Sequence, residues 1–413
     1  MKAAVCPAAR GSVRAPASKS AAHRHLILAA LADRPGEVRG LTLSEDIEAT
    51  IRCLTALGAC IRLKGDTALV TPVSNPPACA QLDCGESGST LRFLIPVAAA
   101  LGISAEFTGR GRLPQRPVTG YLEALRAHGV SVCYDGRLPL QISGRLTPGD
   151  FQVEGEKSSQ YVTGLLLALA RLEGGGAVRL TTPLNSAAYV DITVDLLARY
   201  GVPVDRRGSA YHVQGGPPRG GSHMVEGDWS SAAFPLCLGA LGGCVTVTGL
   251  DENSTQGDRA ILSILREMGC AVSVSAQGIQ VKKSPLRAIR RDMEEIPDLV
   301  PVTAVLCAAA QGESVLSGVD RLRYKESDRI ASTIGLISSL GGDARYENGC
   351  ILIRGGALHP GEVASCHDHR IAMAAAVAAA AAGGPVRLDD VDCVAKSYPD
   401  FWKDYTLLGG NLQ

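Results

Sequence analysis

Aromatic residues are scarce in this chain. Phe, Trp and Tyr together make up 4% of its 413 residues, and Met occurs five times. With so few large side chains, the 46% of residues that are hydrophobic must build their cores from Ala, Val, Leu and Ile. Net charge is absent too: 41 Lys and Arg balance 41 Asp and Glu. Without a basic surplus the chain is not organised as a general nucleic-acid or membrane-surface binder, although a local basic pocket remains open to it. No apolar run reaches the roughly 20 residues of a membrane span; the Ala-rich stretch 371–382 is too short. Residues 1–14 lack the continuous apolar core of a signal peptide. The 13 Cys are odd in number and contain no C-x-x-C pair. Most read as small buried hydrophobes of a reducing compartment, not as a disulfide or metal framework. A dinucleotide fingerprint, a P-loop and a nucleophile triad are also missing, so no cofactor is expected. The default expectation is a soluble cytoplasmic protein.

What the chain does have is repetition. Its length suits two domains of about 200 residues each. Six times a polar or charged tip leads into an apolar helix of small residues. The tips are Ser18-Lys19-Ser20, Gly88-Ser89-Thr90, Ser158-Ser159-Gln160, Trp229-Ser230-Ser231, Ile296-Pro297-Asp298 and His367-Asp368-His369. With Ser20, Ser89, Ser158, Ser230, Asp298 and Asp368 as markers, the steps are 69, 69, 72, 68 and 70 residues. A second helix recurs in register and stops at Leu57-Gly58, His128-Gly129, Tyr200-Gly201, Met268-Gly269, Leu340-Gly341 and Leu408-Gly409, glycine being the usual stop just past a helix end. Strand-like runs such as Val130-Ser131-Val132 and residues 271–274 follow, so each unit reads strand, helix, strand, helix, strand, strand.

A first helix that is apolar nearly all round calls for complete burial. The expected architecture is therefore α/β (α+β): two domains, each of three βαβαββ repeats, with buried helices enclosed by sheets. The Gly/Pro-rich stretch 215–221 lies at the seam between the third and fourth units. If the first strand pairs with the C-terminal half, the chain crosses a second time near residues 14–17. The expected domains are 15–224, and 1–14 together with 225–413.

The chemistry is expected at the tips. Buried helix N-termini present unpaired N–H groups and partial positive charge, which suits phosphate and carboxylate groups. Lys19, Arg24, Arg92, Lys325, Arg329 and Arg370 stand at or near them, with Arg116 and Lys396 as further candidates. In a neutral chain that convergence predicts a positive cleft for a small polyanion. Lys325-Glu326-Ser327-Asp328-Arg329 precedes an apolar run; as a helix start it would set Lys325 and Arg329 four apart on one face, with Ser327 or Asp328 as cap. An exposed, salt-bridged helix entry is the alternative reading. Asp298 and Glu326 are the carboxylates best placed to move protons, since a carboxylate among cations keeps its charge. Asp298 also reads as a helix cap beside Pro297. The His367-Asp368-His369 cluster is a weak metal motif, and no metal is expected.

These segments, with Gln115-Arg116-Pro117 and Ala395-Lys396, run in one order over nearly the whole chain, and that order resembles the 5-enolpyruvylshikimate-3-phosphate synthase family of enolpyruvyl transferases. The resemblance implies two domains, each an inverse α/β barrel of three βαβαββ units, closing on substrate in a cleft. It implies transfer of the enolpyruvyl group of phosphoenolpyruvate to the 5-hydroxyl of shikimate 3-phosphate, through a tetrahedral intermediate that loses phosphate. This is a step of the shikimate pathway towards aromatic amino acids, catalysed by a monomer.

By the same resemblance, Lys19, Ser20, Arg24, Ser158, Ser159, Gln160, Ser186, Tyr189, Asp298, Arg321 and Lys325 would contact shikimate 3-phosphate. Lys19, Gly88, Arg116, Gln160, Arg329, Arg370 and Lys396 would hold phosphoenolpyruvate, with bidentate Arg suited to carboxylate and phosphate. Asp298 would accept the 5-hydroxyl proton, Glu326 would handle the C3 proton, and Lys19 would touch both substrates. Ala17 and Glu86-Ser87 depart from the commoner pattern, and Arg321 stands where Asn is frequent. Gly88 is kept, so sensitivity to glyphosate is expected. Two other readings compete. The sister transferase acting on UDP-N-acetylglucosamine typically has Lys-Asn at the first motif and a reactive loop Cys; residues 113–117 contain no Cys. A non-catalytic anion-binding scaffold would have no need of the two carboxylates.

Overall fold

Each of the six tips stands at the start of a helix buried on nearly every side. In the computed structural model, which describes residues 1–413, these inner helices are Lys19–Ala30, Gly88–Leu101, Ser159–Leu169, Trp229–Gly242, Val300–Ala308 and His369–Ala382. Small side chains make this possible. In His369–Ala382 nine of fourteen residues are Ala, and only Ala380 and Ala381 escape burial. Without bulk on any face the helices approach closely and every face joins the core. At Gly164 the approach is extreme: a Cβ there would lie 2.5 Å from the Arg92 carbonyl oxygen. That carbonyl lacks its usual ladder partner because Pro96, four residues on, has no N–H; the Tyr121 hydroxyl donates to it at 3.0 Å instead.

The outer helices are Glu45–Ala56, Leu122–Ala127, Ala187–Arg199, Ile261–Glu267, Arg329–Ser339 and Phe401–Leu407. They bury a single stripe, as at Ile47, Thr50, Cys53 and Leu54, the spacing of a helix lying on a core. The six glycines expected to stop them all take positive φ, between 77° and 102°. Where proline intervenes the outer helix is broken: Pro114 and Pro117 leave two short 3-10 turns, Leu113–Gln115 and Thr119–Tyr121, before the helix proper.

Each repeat closes one four-stranded sheet, six in all, with the same strand order. In the second repeat Cys79–Asp83 runs parallel to Ser104–Thr108, which pairs antiparallel with Leu140–Gly144, which in turn pairs with Val130–Cys133. The parallel pair needs a crossover, and the inner helix is that crossover.

The chain forms two compact units, Lys19–Val225, and Met1–Ser18 with Glu226–Gln413. The crossings thus fall at 18/19 and 225/226, not at 14/15 and 224/225. Ala9–Arg14 pairs in parallel with Gly243–Thr248, but pairing continues past it. Ala17 bridges Gly227, and the Ser18 N–H donates to the Glu226 carbonyl at 2.8 Å. At the other crossing Ser222–Met224 pairs with Gly36–Arg39, and the Val225 N–H still reaches the Arg39 carbonyl at 2.9 Å. Lys2–Val5 completes the last sheet, between Val386–Leu388 and Asn411–Leu412. No helix is long and apolar enough to cross a membrane.

Candidate active site

In the unit Lys19–Val225 the tips are tied together by buried polar contacts. Lys19 opens its helix and its Nζ lies 2.9 Å from Asp46 Oδ2 on the first outer helix. Behind it runs a hydrogen-bonded chain from His23 Nδ1 to the Thr50 hydroxyl (2.7 Å), on to Thr90 (2.7 Å) and to the Ser87 hydroxyl (2.7 Å). Burial keeps His23 neutral by pushing it down to about 3. Ser87 also caps the second inner helix, accepting the Thr90 N–H at 3.2 Å, so the unusual Ser before Gly88 has a structural task. Gly88 makes room for cations: a Cβ there would lie 2.7 Å from Arg92 Nη1 and 3.0 Å from Arg116 Nη1. Two guanidinium groups therefore stand by one helix N-terminus. Burial, and then Arg116, lowers the pKa of Arg92.

Arg92 donates to Gln160 Oε1 at 2.6 Å and to the Pro117 carbonyl at 2.8 and 3.1 Å. Gln160 Nε2 donates to Ser89 at 3.0 Å, and Ser158 caps the third inner helix through the Gln160 N–H at 3.2 Å, next to the buried Ser159. Ser186, ahead of Ala187–Arg199, is held at φ 57°, ψ 48°. A non-glycine residue there stores of order 1–3 kcal/mol, strain of the kind that gathers at functional sites. Arg24 is buried, and burial lowers it to about 9. Its Nη1 reaches the Ser20 carbonyl at 2.5 Å, Nη2 the Tyr189 carbonyl at 2.7 Å, and Nε the Thr193 hydroxyl at 2.7 Å. It thereby clamps the backbone of two other candidates, Ser20 and the half-buried Tyr189.

The second cluster lies in the unit that contains Glu226–Gln413 and centres on Arg329, whose side chain is 1% exposed. Its Nη1 bonds Asp298 Oδ1 at 2.7 Å, Nη2 bonds Glu326 Oε2 at 2.7 Å, and Nε bonds Asp368 Oδ2 at 2.8 Å. Asp298 also takes Arg370 Nη2 at 2.9 Å and lies 3.8 Å from Lys325 Nζ. Burial alone would raise Asp298, but Arg370, Lys325 and Arg329 hold it well below the usual carboxylate range. Three carboxylates and three cations thus neutralise one another around one guanidinium. Lys396 is buried at the end of a 3-10 turn, Asp392–Lys396, and Arg321 donates to the Glu294 carbonyl at 3.1 Å.

The five-residue motif is not a helix start throughout. Asp328 Oδ1 accepts the N–H groups of Ile330 and Ala331, both at 3.2 Å, which begins the helix at Arg329 and leaves Lys325 on extended backbone. Glu326 and Arg329 meet, but Lys325 and Arg329 do not share a helical face. Ser327 is no cap: its hydroxyl donates to Asp368 at 2.9 Å. His367 is exposed against Asp390 while His369 is buried, so the two rings have separate surroundings.

Residues 7–405 match the family described as EPSP synthase (3-phosphoshikimate 1-carboxyvinyltransferase). The chain belongs to the EPSP synthase family. The 3-phosphoshikimate 1-carboxyvinyltransferase of Clostridium kluyveri is 40% identical, over 97% of this chain and 96% of that protein. The solved EPSP synthase of Acinetobacter baumannii superposes with a TM-score of 0.84 at 27% identity, covering all of both chains. The enolpyruvyl transferase NikO of Streptomyces tendae, at 19% identity and a TM-score of 0.82 over the whole chain, shares the fold. The two-domain inverse α/β architecture is thus a family property that this chain has.

For an EPSP synthase family member, three groups of the two clusters escaped the reading of motifs. Arg92 was visible as a cation, but its service to Gln160 was not. Asp46 sits unremarked among the acidic residues opening an amphipathic helix. Asp368, legible as a repeat marker and as part of the His367-Asp368-His369 tip, is the fully buried counter-charge of Arg329. The faint signal for Arg92 and Asp368 is a charged residue at the head of a buried helix, where isolated charge is costly; Asp46, between the exposed Glu45 and Glu48, carries none.

Proposed function

We propose that this EPSP synthase family chain transfers the enolpyruvyl group of phosphoenolpyruvate to the 5-hydroxyl of shikimate 3-phosphate and releases phosphate. The observation that carries the reading is the pair Asp298 and Glu326, each 2.7 Å from the same buried guanidinium. Two proton-transfer groups flanked by Arg and Lys are what addition and elimination on a polyanion require.

In this reading Ser158, Ser159 and the strained Ser186 receive the shikimate phosphate, with Ser20, Gln160, Tyr189, Arg321 and Lys325 around the ring and Arg24 fixing Ser20 and Tyr189. Arg116, Arg329, Arg370, Lys396 and Lys19 receive the carboxylate and phosphate of phosphoenolpyruvate. Those anions compete with Asp298 for Arg329 and Arg370. As they take the guanidinium groups, Asp298 loses the charges that hold its pKa down and becomes a better base. It accepts the 5-hydroxyl proton as the oxygen bonds to C2, while Glu326 delivers a proton to C3. In the second step the C2–O bond to phosphate breaks, Glu326 recovers a proton from C3, and the cations stabilise the departing anion. Substrate arrival thus switches the base on.

All 13 thiols are free, and only six of them are buried, fewer than the expected majority; unpaired thiols left exposed support a reducing, cytoplasmic setting, where the chain would act as a monomer. Gly88, with no Cβ to push Arg92 and Arg116 away from the helix tip, supports sensitivity to glyphosate. The deciding experiment measures phosphate release by the purified chain: it is expected only when both substrates are present, and binding of both without release would defeat the reading.

A further inference from the structure

The repeat register singles out a residue that neither cluster has claimed. Ser186, Glu326 and Lys396 each follow their tip marker (Ser158, Asp298, Asp368) by 28 residues, while Arg116 follows Ser89 by 27. The residue 28 beyond the fourth marker, Ser230, is Asp258. It stands in the turn Gly257–Ala260 ahead of the fourth outer helix, the place that supplies a proposed ligand-side group in repeats two, three, five and six.

The surroundings are those of a site residue. Asp258 is 3% exposed, and its Oδ2 accepts the hydroxyl of Ser230 on the fourth tip. The turn is locked to that tip by Gln256, which accepts the Trp229 N–H at 3.0 Å and donates to the Gly227 carbonyl at 2.8 Å. Yet Oδ1 is buried with no hydrogen-bond partner, which is costly for a carboxylate and tolerable for an acid. The charged groups that act on it are Asp298, Arg370 and the helix cap Asp228. Burial, then Asp298, raises its pKa to about 7, against the opposing pull of Arg370 and the Ser230 hydroxyl.

We propose that Asp258 is a positioning residue for the Asp298–Arg370 pair, shared between its acid and carboxylate forms while the second cluster is empty and held as the acid once an anion occupies it. Ionised, it is a second negative charge competing with an incoming anion for Arg370; protonated, it leaves Arg370 to Asp298 and the anion. Anion binding is therefore coupled to uptake of a proton, and it weakens as pH rises through about 7. The idea rests on the functional reading for the identity of the anion, but not for its own test.

The test is calorimetric titration of the full chain with inorganic phosphate and with phosphoenolpyruvate. It compares wild type with Asp258→Asn in buffers of different ionisation enthalpy, from about pH 6 to about pH 8.5, a range that spans the expected titration. The ligands' own titration is common to both proteins and cancels. The wild type is expected to bind more protons per anion than Asp258→Asn, and the affinity ratio is expected to move severalfold in favour of the variant above about pH 7. Ser230→Ala removes the hydrogen bond that lowers Asp258 and keeps the charge, so the same limb should persist at higher pH. Identical proton uptake and pH dependence in wild type and Asp258→Asn would overturn the proposal, as would Ser230→Ala abolishing the limb. Failure of phosphate release from the two substrates would strike the functional reading and leave this result standing.

Discussion

Asp368→Ala probes the centre of the second cluster. Asp368 and Arg329 are 0% and 1% exposed and meet at 2.8 Å. Removing one partner of a buried ion pair costs about 3–5 kcal/mol, because the other charge is left uncompensated. Here Asp298 and Glu326 still hold Arg329, so the lower end of that range applies. The substitution also deletes the acceptor of the Arg370 N–H at the head of an inner helix, worth about 1 kcal/mol more. A loss of about 4 kcal/mol from a unit of about 200 residues lowers its midpoint by about 8–16 °C. The assay is built into the sequence: the only two Trp, Trp229 and Trp402, belong to this unit, so thermal unfolding followed by Trp fluorescence reports on it selectively. Asp368→Asn, whose one amide oxygen can still accept the Arg370 N–H received by Oδ1 but not also Ser327 and Arg329 Nε at Oδ2, should lose somewhat less. A shift under about 4 °C for Asp368→Ala, equivalent to about 1–2 kcal/mol, would show that two carboxylates satisfy Arg329 and would refute the reasoning.

Three further outcomes are expected. Asp298→Asn and Glu326→Gln should each lower kcat by about 10²–10⁴-fold with a smaller change in KM, and steady-state kinetics showing less than about threefold would remove that residue from proton transfer. Gly164→Ala forces a Cβ against the Arg92 carbonyl and should destabilise the Lys19–Val225 unit by about 1–3 kcal/mol; unchanged hydrogen-exchange protection of the helix Gly88–Leu101 would contradict the close approach. Acid should weaken the second cluster. Asp298 titrates well below its unfolded value of 3.8, so its contribution is fully present above about pH 4–5 and is lost as pH falls below that. The stability gap between wild type and Asp298→Asn should therefore close with acidification in Trp-monitored denaturation, and a gap independent of pH would count against the pairing.

The six-fold repeat, its two helices and the stopping glycines are local features, readable from periodicity because a fully apolar helix has one way to be stable and a glycine after a helix one usual conformation. Candidate residues at the tips were legible for the same reason: polar side chains directly before a buried helix either cap it, as Ser158 and Asp368 do, or are left to bind. Pairing was not. Nothing in the order of residues tells that Asp368, 39 positions from Arg329, neutralises it, or that Arg24 takes hold of the Tyr189 carbonyl 165 residues away. Nor does a motif reveal that Gly88 leaves room for two guanidinium groups. The crossings, too, moved to 18/19 and 225/226 once Ala17 and Ser18 found partners at Gly227 and Glu226. Hydrophobic pattern decides which elements form and which face they bury. Which charge meets which is decided only when separate elements are packed, since burial strengthens each pair and leaves no room for an unmatched one.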